Sequence, residues 1–174
     1  MCAHELAVRI LDEAGYGRTR GVAQQAARIA RSARLERDRR ARLLCAAWLH
    51  RLGAPRDTAR RLRAAGHEDL ARIVAHTGFA AMAANIRGEA PLEAEFPVPQ
   101  GADEGLLMLL DVAGVTTDQD GAAASPARCL RQLVERVGPA DPEVRAMVAL
   151  VTRLGEDPGA RALVEFLAPA APAR

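Results

Sequence analysis

Hydrophobic positions recur at steps of three and four along nearly the whole chain, the spacing of a helix with one buried face. Val22, Ala26, Ile29, Ala30 and Ala33 mark one such face, Leu43, Leu44, Ala47 and Trp48 a second, and Leu70, Ile73 and Val74 a third. Leu106, Leu107, Leu109, Leu110 and Ala113 predict a buried helix. Leu130, Leu133, Val134 and Val137 predict an amphipathic one, as do Val144, Met147, Val148 and Val151. The punctuation between these runs sets the boundaries. His4–Ala14 predicts a first helix closed by a turn at Gly15-Tyr16-Gly17, with Thr19 capping the next. Helices are expected to stop near Gly53-Ala54-Pro55, Gly66, His76-Thr77-Gly78 and Gly88, which leaves Asp57–Ala65 and Phe79–Ile86 as short helices. Ser125-Pro126 and Asp141-Pro142 each put a capping residue before a proline in the first helical position, where its missing N–H costs nothing. Arg161–Leu167 predicts a last short helix. Glu89–Asp103, with three prolines, and the polar Thr116–Ser125 predict loops. No strand alternation or hairpin signal is present. The expectation is an all-α fold, one helical bundle of eight to ten helices over residues 1–167, with a disordered Ala/Pro-rich tail at 168–174.

Composition sharpens this. The chain is 49% hydrophobic but only 3% aromatic, so Leu, Val, Ile and above all Ala must fill the core. Alanine costs least in a helix and lets helix axes approach closely. The net charge is only +2, yet residues 1–65 hold fifteen Arg against six acids, and the remainder holds nine against sixteen. The chain has no lysine, which excludes a lysine Schiff base and a phosphate-loop lysine. Six arginines fall in Arg31–Arg42 with no interleaved aromatic, a pattern that argues against base stacking and reads as a solvated helix surface. A nucleic-acid partner is therefore a minor alternative. Cys2, Cys45 and Cys129 show no CxxC spacing, and Cys45 sits in an apolar stretch as a small core residue. An odd cysteine count, no leader pattern and no long apolar run predict a cytoplasmic protein away from membranes.

Candidate chemistry comes from the order of four segments. They are Arg20-Gly-Val-Ala-Gln-Gln-Ala-Ala-Arg-Ile-Ala, Ala46-Ala-Trp-Leu-His-Arg-Leu-Gly, Ile73-Val-Ala-His-Thr-Gly and Leu110-Asp-Val-Ala-Gly-Val-Thr-Thr, followed by Asp120-Gly121 and Arg136-Val-Gly-Pro-Ala-Asp-Pro. Together they resemble the HD-domain superfamily of metal-dependent phosphohydrolases, over roughly residues 18–145, and look closest to a compact bacterial branch of it. The resemblance implies a helical bundle around a divalent metal held by an early His, an adjacent His-Asp pair and a later Asp. Carried over one at a time, the early His falls at Gly21, the paired His is present as His50, the paired Asp is replaced by Arg51, and the late Asp falls at Gly114. Asp111 lies one helical turn before that last position, where it would face the same side.

One imidazole is a poor metal site on its own, because a divalent ion needs several anionic or imidazole donors. A guanidinium about 4 Å from a dication costs on the order of 8 kcal/mol at an effective dielectric of about 20. The expectation is therefore no metal and no cofactor. The leading reading is a catalytically degenerate HD-like protein, a pseudoenzyme, that binds a small anionic ligand or a protein partner. Its candidate ligand-binding residues are His50, Arg51, His76, Thr116 and Thr117, with Arg51 standing where the metal's positive charge would be. Two alternatives stay open: a metal-independent enzyme using His50 and His76 as acid and base, and a metal-dependent phosphohydrolase with ligands elsewhere. Each candidate also has a plainer role. His50 would be a packed, hydrogen-bonded core residue, His76 a partner for a helix C-terminus, and Thr116 and Thr117 caps of the following turn.

Overall fold

The structure, a computed structural model, describes residues 3–11 and 13–167. Cys2, Asp12 and the tail at 168–174 lie outside the described residues. The described residues form ten α-helices: α1 (Ala3–Ile10), α2 (Glu13–Ser32), α3 (Arg37–Leu49), α4 (Pro55–Ala64), α5 (Glu68–His76), α6 (Gly78–Ile86), α7 (Ala102–Val115), α8 (Pro126–Val137), α9 (Pro142–Glu156) and α10 (Pro158–Leu167). No strand forms among them; an isolated bridge pairs Thr117 with Ala123.

The start signals behave as their chemistry requires. Ser125 Oγ accepts the Arg128 N–H at 3.3 Å at the head of α8, and Asp141 Oδ1 accepts the Glu143 N–H at 2.7 Å at the head of α9. Each satisfies a donor that the first helical turn leaves without a partner. Gly66, with φ +82°, ends α4 as expected.

The turn expected at Gly15-Tyr16-Gly17 is not formed. These residues and Thr19 lie inside α2, and Thr19 is fully buried there rather than capping a helix. The close approach of two backbones falls one turn further on, at Gly21, while a Cβ at Gly17 would meet only the Asp120 carbonyl at 3.8 Å. The 116–125 segment lies against this part of α2, so that a Cβ at Gly21 would run into the Gly121 carbonyl and one at Gly121 into the Gly17 carbonyl. Side-chain hydrogen bonds fix that segment in place. Asp118 Oδ1 accepts the N–H groups of Asp120 and Ala122 at 3.1 and 2.8 Å, and the Arg128 guanidinium lies 3.2 Å from Oδ2. The Gln25 side chain on α2 donates to the Thr116 carbonyl at 3.1 Å.

Helix α7 runs through the middle. It packs against α2, α3, α5, α6, α9 and α10, and Leu106, Leu109, Leu110, Val112, Ala113 and Val115 are all buried. A helix surrounded on every side shows little amphipathic contrast, which explains its nearly continuous run of leucines. Ile29, Leu43, Ile73, Leu133, Met147 and Leu150 close around it, with buried alanines at 26, 46, 47, 71, 75 and 146 setting the short helix spacings. Cys45 is only half-buried, contrary to its expected core role, whereas Cys129 is buried and burial pushes its thiol up to about 11. Most of the arginine run at 31–42 faces solvent, and Arg42 pairs with Asp103 at 2.7 Å. No helix among the described residues is long and apolar enough to cross a membrane.

Candidate functional site

A cavity of about 220 Å³ opens where the start of α2, the end of α3, the α5–α6 junction, the middle of α7 and the facing ends of α8 and α9 converge. Its polar wall comprises Arg18, His50, Arg51, Thr77, Asp111, Arg136 and Glu143; Gly114 and Leu150 complete one side. Residues distant in sequence thus meet here, among them His50, Arg51 and both candidate positions on α7.

His50 is the residue that closes α3. Its Nδ1 lies 2.8 Å from the Ala47 carbonyl of the same helix, and a carbonyl only accepts, so Nδ1 carries the proton. Burial pushes the imidazole down to about 3; Arg51 adds to this, the Ala47 hydrogen bond opposes it, and Arg18 lowers it further. The ring is therefore neutral, with Nε2 unprotonated. Such a weak base is a poor proton acceptor near neutral pH. Arg51 follows directly, its guanidinium pKa lowered by burial and by Arg136 and raised in part by Glu143. No salt bridge links Arg51 to a carboxylate among the described residues.

Arg18 carries no obvious signal in the sequence, since it is one of many arginines. It lies three residues before Gly21 on α2, is only 5% exposed, and lines the cavity. Its Nε and Nη1 are buried without a hydrogen-bond partner in the protein. Burial first, and then Arg51, lowers its pKa to about 10, so it remains a cation at neutral pH. Gly21, to which the resemblance assigns the early ligand, is not part of the wall, and the Gly121 backbone fills the space any side chain there would need. Arg18 is the residue that α2 presents to the cavity.

Asp111 also lines the cavity and is almost fully buried. Its Oδ1 accepts the Gly78 N–H at 2.6 Å and its Oδ2 faces the Arg153 guanidinium at 3.0 Å. Burial raises the carboxyl to about 7 despite the Gly78 hydrogen bond and Arg153, both of which favour the ionised form. Arg153 helps little because its side chain is 59% exposed and well hydrated. Two further lining residues pair with each other, Arg136 lying 3.4 Å from Glu143.

The remaining candidates stand elsewhere. His76 ends α5 but turns away from the cavity, its Nε2 2.7 Å from the Phe96 carbonyl in the 87–101 connection. Its neighbour Thr77 reaches the wall instead, although its hydroxyl is committed to the Ile73 carbonyl at 2.7 Å. The hydroxyls of Thr116 and Thr117 donate back to the Val112 and Ala113 carbonyls at 2.7 and 2.8 Å, and both residues are fully buried outside the wall. They finish α7 rather than face a ligand or cap the following turn. The cavity thus unites His50 with Arg51 but with neither His76 nor the two threonines.

The donor set does not fit a divalent metal. Three guanidinium groups stand around one neutral imidazole, and Gly114 contributes no side chain. Among the described residues, no three His, Cys, Asp or Glu side chains gather in a metal-ligand cluster. The same set suits an anion, since the cations outnumber the carboxylates and the two deepest guanidiniums have no carboxylate partner. No family model, no curated protein and no solved structure matches this chain.

Proposed function

We propose that this protein is a metal-free relative of the HD-type phosphohydrolases whose central cavity binds a small oxyanion, a phosphate or carboxylate group, through Arg18 and Arg51. The observation that carries this reading is the state of Arg18: a buried guanidinium with two unpartnered nitrogens, beside a second guanidinium, and neither makes a salt bridge among the described residues. An unpaired buried charge costs several kcal/mol, and two that repel each other cost more. An anion between them removes both penalties. The HD reading rests on the order of the four sequence segments. It is supported by the way His50, Arg51 and Gly114, three of the four positions that the family devotes to its metal, border one cavity. On this reading three of the family's ligand positions have become a cation and two glycines, and Arg18 supplies a further positive charge from α2. A volume of about 220 Å³ suits a ligand of a few heavy atoms or the charged end of a larger one.

The test is a titration with inorganic phosphate in chloride buffer, followed by calorimetry and by the thermal midpoint. A ligand at a hundred times its dissociation constant stabilises the folded form by about 2.7 kcal/mol. Arg51→Met is expected to weaken binding at least about tenfold, the value of one lost charge-assisted hydrogen bond. Phosphate and simple carboxylates that all leave the midpoint unchanged at tens of millimolar, or that bind Arg51→Met as well as the parent, would overturn the proposal.

A further inference from the structure

Two guanidiniums explain attraction to any anion. They do not explain the imidazole of His50 that lines the same wall. His50 is locked in one tautomer because Nδ1 is held at 2.8 Å by the Ala47 carbonyl on its own helix. His50 lines the cavity, and that bond leaves its second ring nitrogen, Nε2, untaken. Nε2 has no partner among the described residues and is not sealed inside the protein, so it is an open lone pair. It cannot easily gain a proton, because burial first, and then the nearby Arg51 and Arg18, disfavour a further positive charge. Asp111 and Glu143 add carboxylate oxygens to the same wall. The cavity therefore offers donors from Arg18 and Arg51 beside an acceptor that stays an acceptor.

Building on the anion-binding reading, we infer that the cavity selects an oxyanion that carries its own hydrogen-bond donor, placing the anionic oxygens on Arg18 and Arg51 and the ligand's hydroxyl on Nε2 of His50. Hydrogen phosphate meets this description and sulfate does not. Among carboxylates, a short 2-hydroxy acid meets it and its deoxy counterpart does not. A fully deprotonated anion would point a lone pair at Nε2, leaving two acceptors facing each other in a desolvated site. Sites with a polar group committed to a ligand hydroxyl discriminate strongly against analogues that lack it.

The experiment compares matched pairs on the parent protein by calorimetry, at one pH and one ionic strength: phosphate against sulfate, and glycolate against acetate. Phosphate is expected to bind at least about tenfold more tightly than sulfate if the ligand is a phosphate, or glycolate more tightly than acetate if it is a hydroxy acid. His50→Phe should remove the preference while leaving sulfate or acetate binding in place, and His50→Gln, whose amide oxygen accepts, should restore part of it. Equal affinities within both pairs overturn this inference and leave the anion pocket standing. Failure of all four anions to bind overturns both. The paired titrations use the parent protein, so they decide the question even where a His50 variant fails to fold.

Discussion

The backbone N–H of Gly78 donates to Asp111 Oδ1 at 2.6 Å, tying the first turn of α6 to the middle of α7. The acceptor is a carboxyl that burial holds near 7 instead of 3.8. Between these values the folded protein binds a proton that the unfolded chain releases, so this group's contribution is complete below about pH 4 and lost as pH rises through about 7. Stability attributable to Asp111 therefore falls from pH 4 to pH 8, with a ceiling of about 4 kcal/mol. Asp111→Asn removes the titration. Relative to the parent it is expected to gain at least 1 kcal/mol, as an order of magnitude, between pH 5 and pH 8 in urea unfolding. A difference that does not change with pH would show that Gly78 and Arg153 hold the carboxyl ionised throughout.

Arg18 makes the opposite kind of prediction. Its buried cation should strain the ligand-free protein, so Arg18→Met is expected to raise stability by about 1–3 kcal/mol in oxyanion-free buffer. For a chain of this size that corresponds to roughly 2–4 °C in the midpoint for each kcal/mol. Saturating phosphate should narrow or reverse the gap, because only the parent gains from binding. A destabilised Arg18→Met protein would instead make the aliphatic stem of Arg18 a packing element.

Gly21 and Gly121 meet backbone to backbone. Gly21→Ala is expected to lower stability by about 1–3 kcal/mol, the usual cost of forcing extra volume into a packed contact. Gly121→Ala carries the same collision together with a residue held at φ +83°, and should cost more. Thermal melts of both variants check the order, and a neutral Gly21→Ala would mean that the 116–125 segment yields easily.

Divalent ions should not stabilise the parent. Manganese, nickel or zinc at millimolar concentration is expected to leave the thermal midpoint within error, and elemental analysis of protein purified without chelator should find no stoichiometric metal. A bound transition metal contacting His50 would overturn the charge argument at Arg51.

The helical architecture was legible in the sequence because its signals are local. Ser125-Pro126 and Asp141-Pro142 start helices by hydrogen bonds formed within three residues, and Gly66 ends one by its own backbone angle. Gly15 and Gly17 misled because a glycine pair is only a local turn signal, and both residues are carried inside the long helix α2. At the site, His50 and Arg51 were readable because they are adjacent within a recognisable segment. His76 looked equivalent, but helix phase turned its ring toward Phe96 while its neighbour Thr77 met the cavity. Arg18 could not be singled out from composition, since only three-dimensional burial distinguishes it from the arginines at the surface. The resemblance assigns its early ligand to Gly21, which is not in the cavity wall, whereas Arg18, three residues earlier on α2, is.

Gly114 leaves open ground inside an otherwise crowded bundle. Apart from its own helix backbone and chain neighbours, no atom comes within 4 Å of the point where its side chain would begin, although it lies on the most enclosed helix and borders the cavity. Substitution at this single residue can therefore remodel the chamber's interior with little disturbance to the scaffold. A carboxylate here would set a negative charge among the arginines and weaken the proposed oxyanion binding, whereas a hydroxyl would add one more hydrogen-bonding group. Position 114 is where a new specificity would be cheapest to evolve or to engineer.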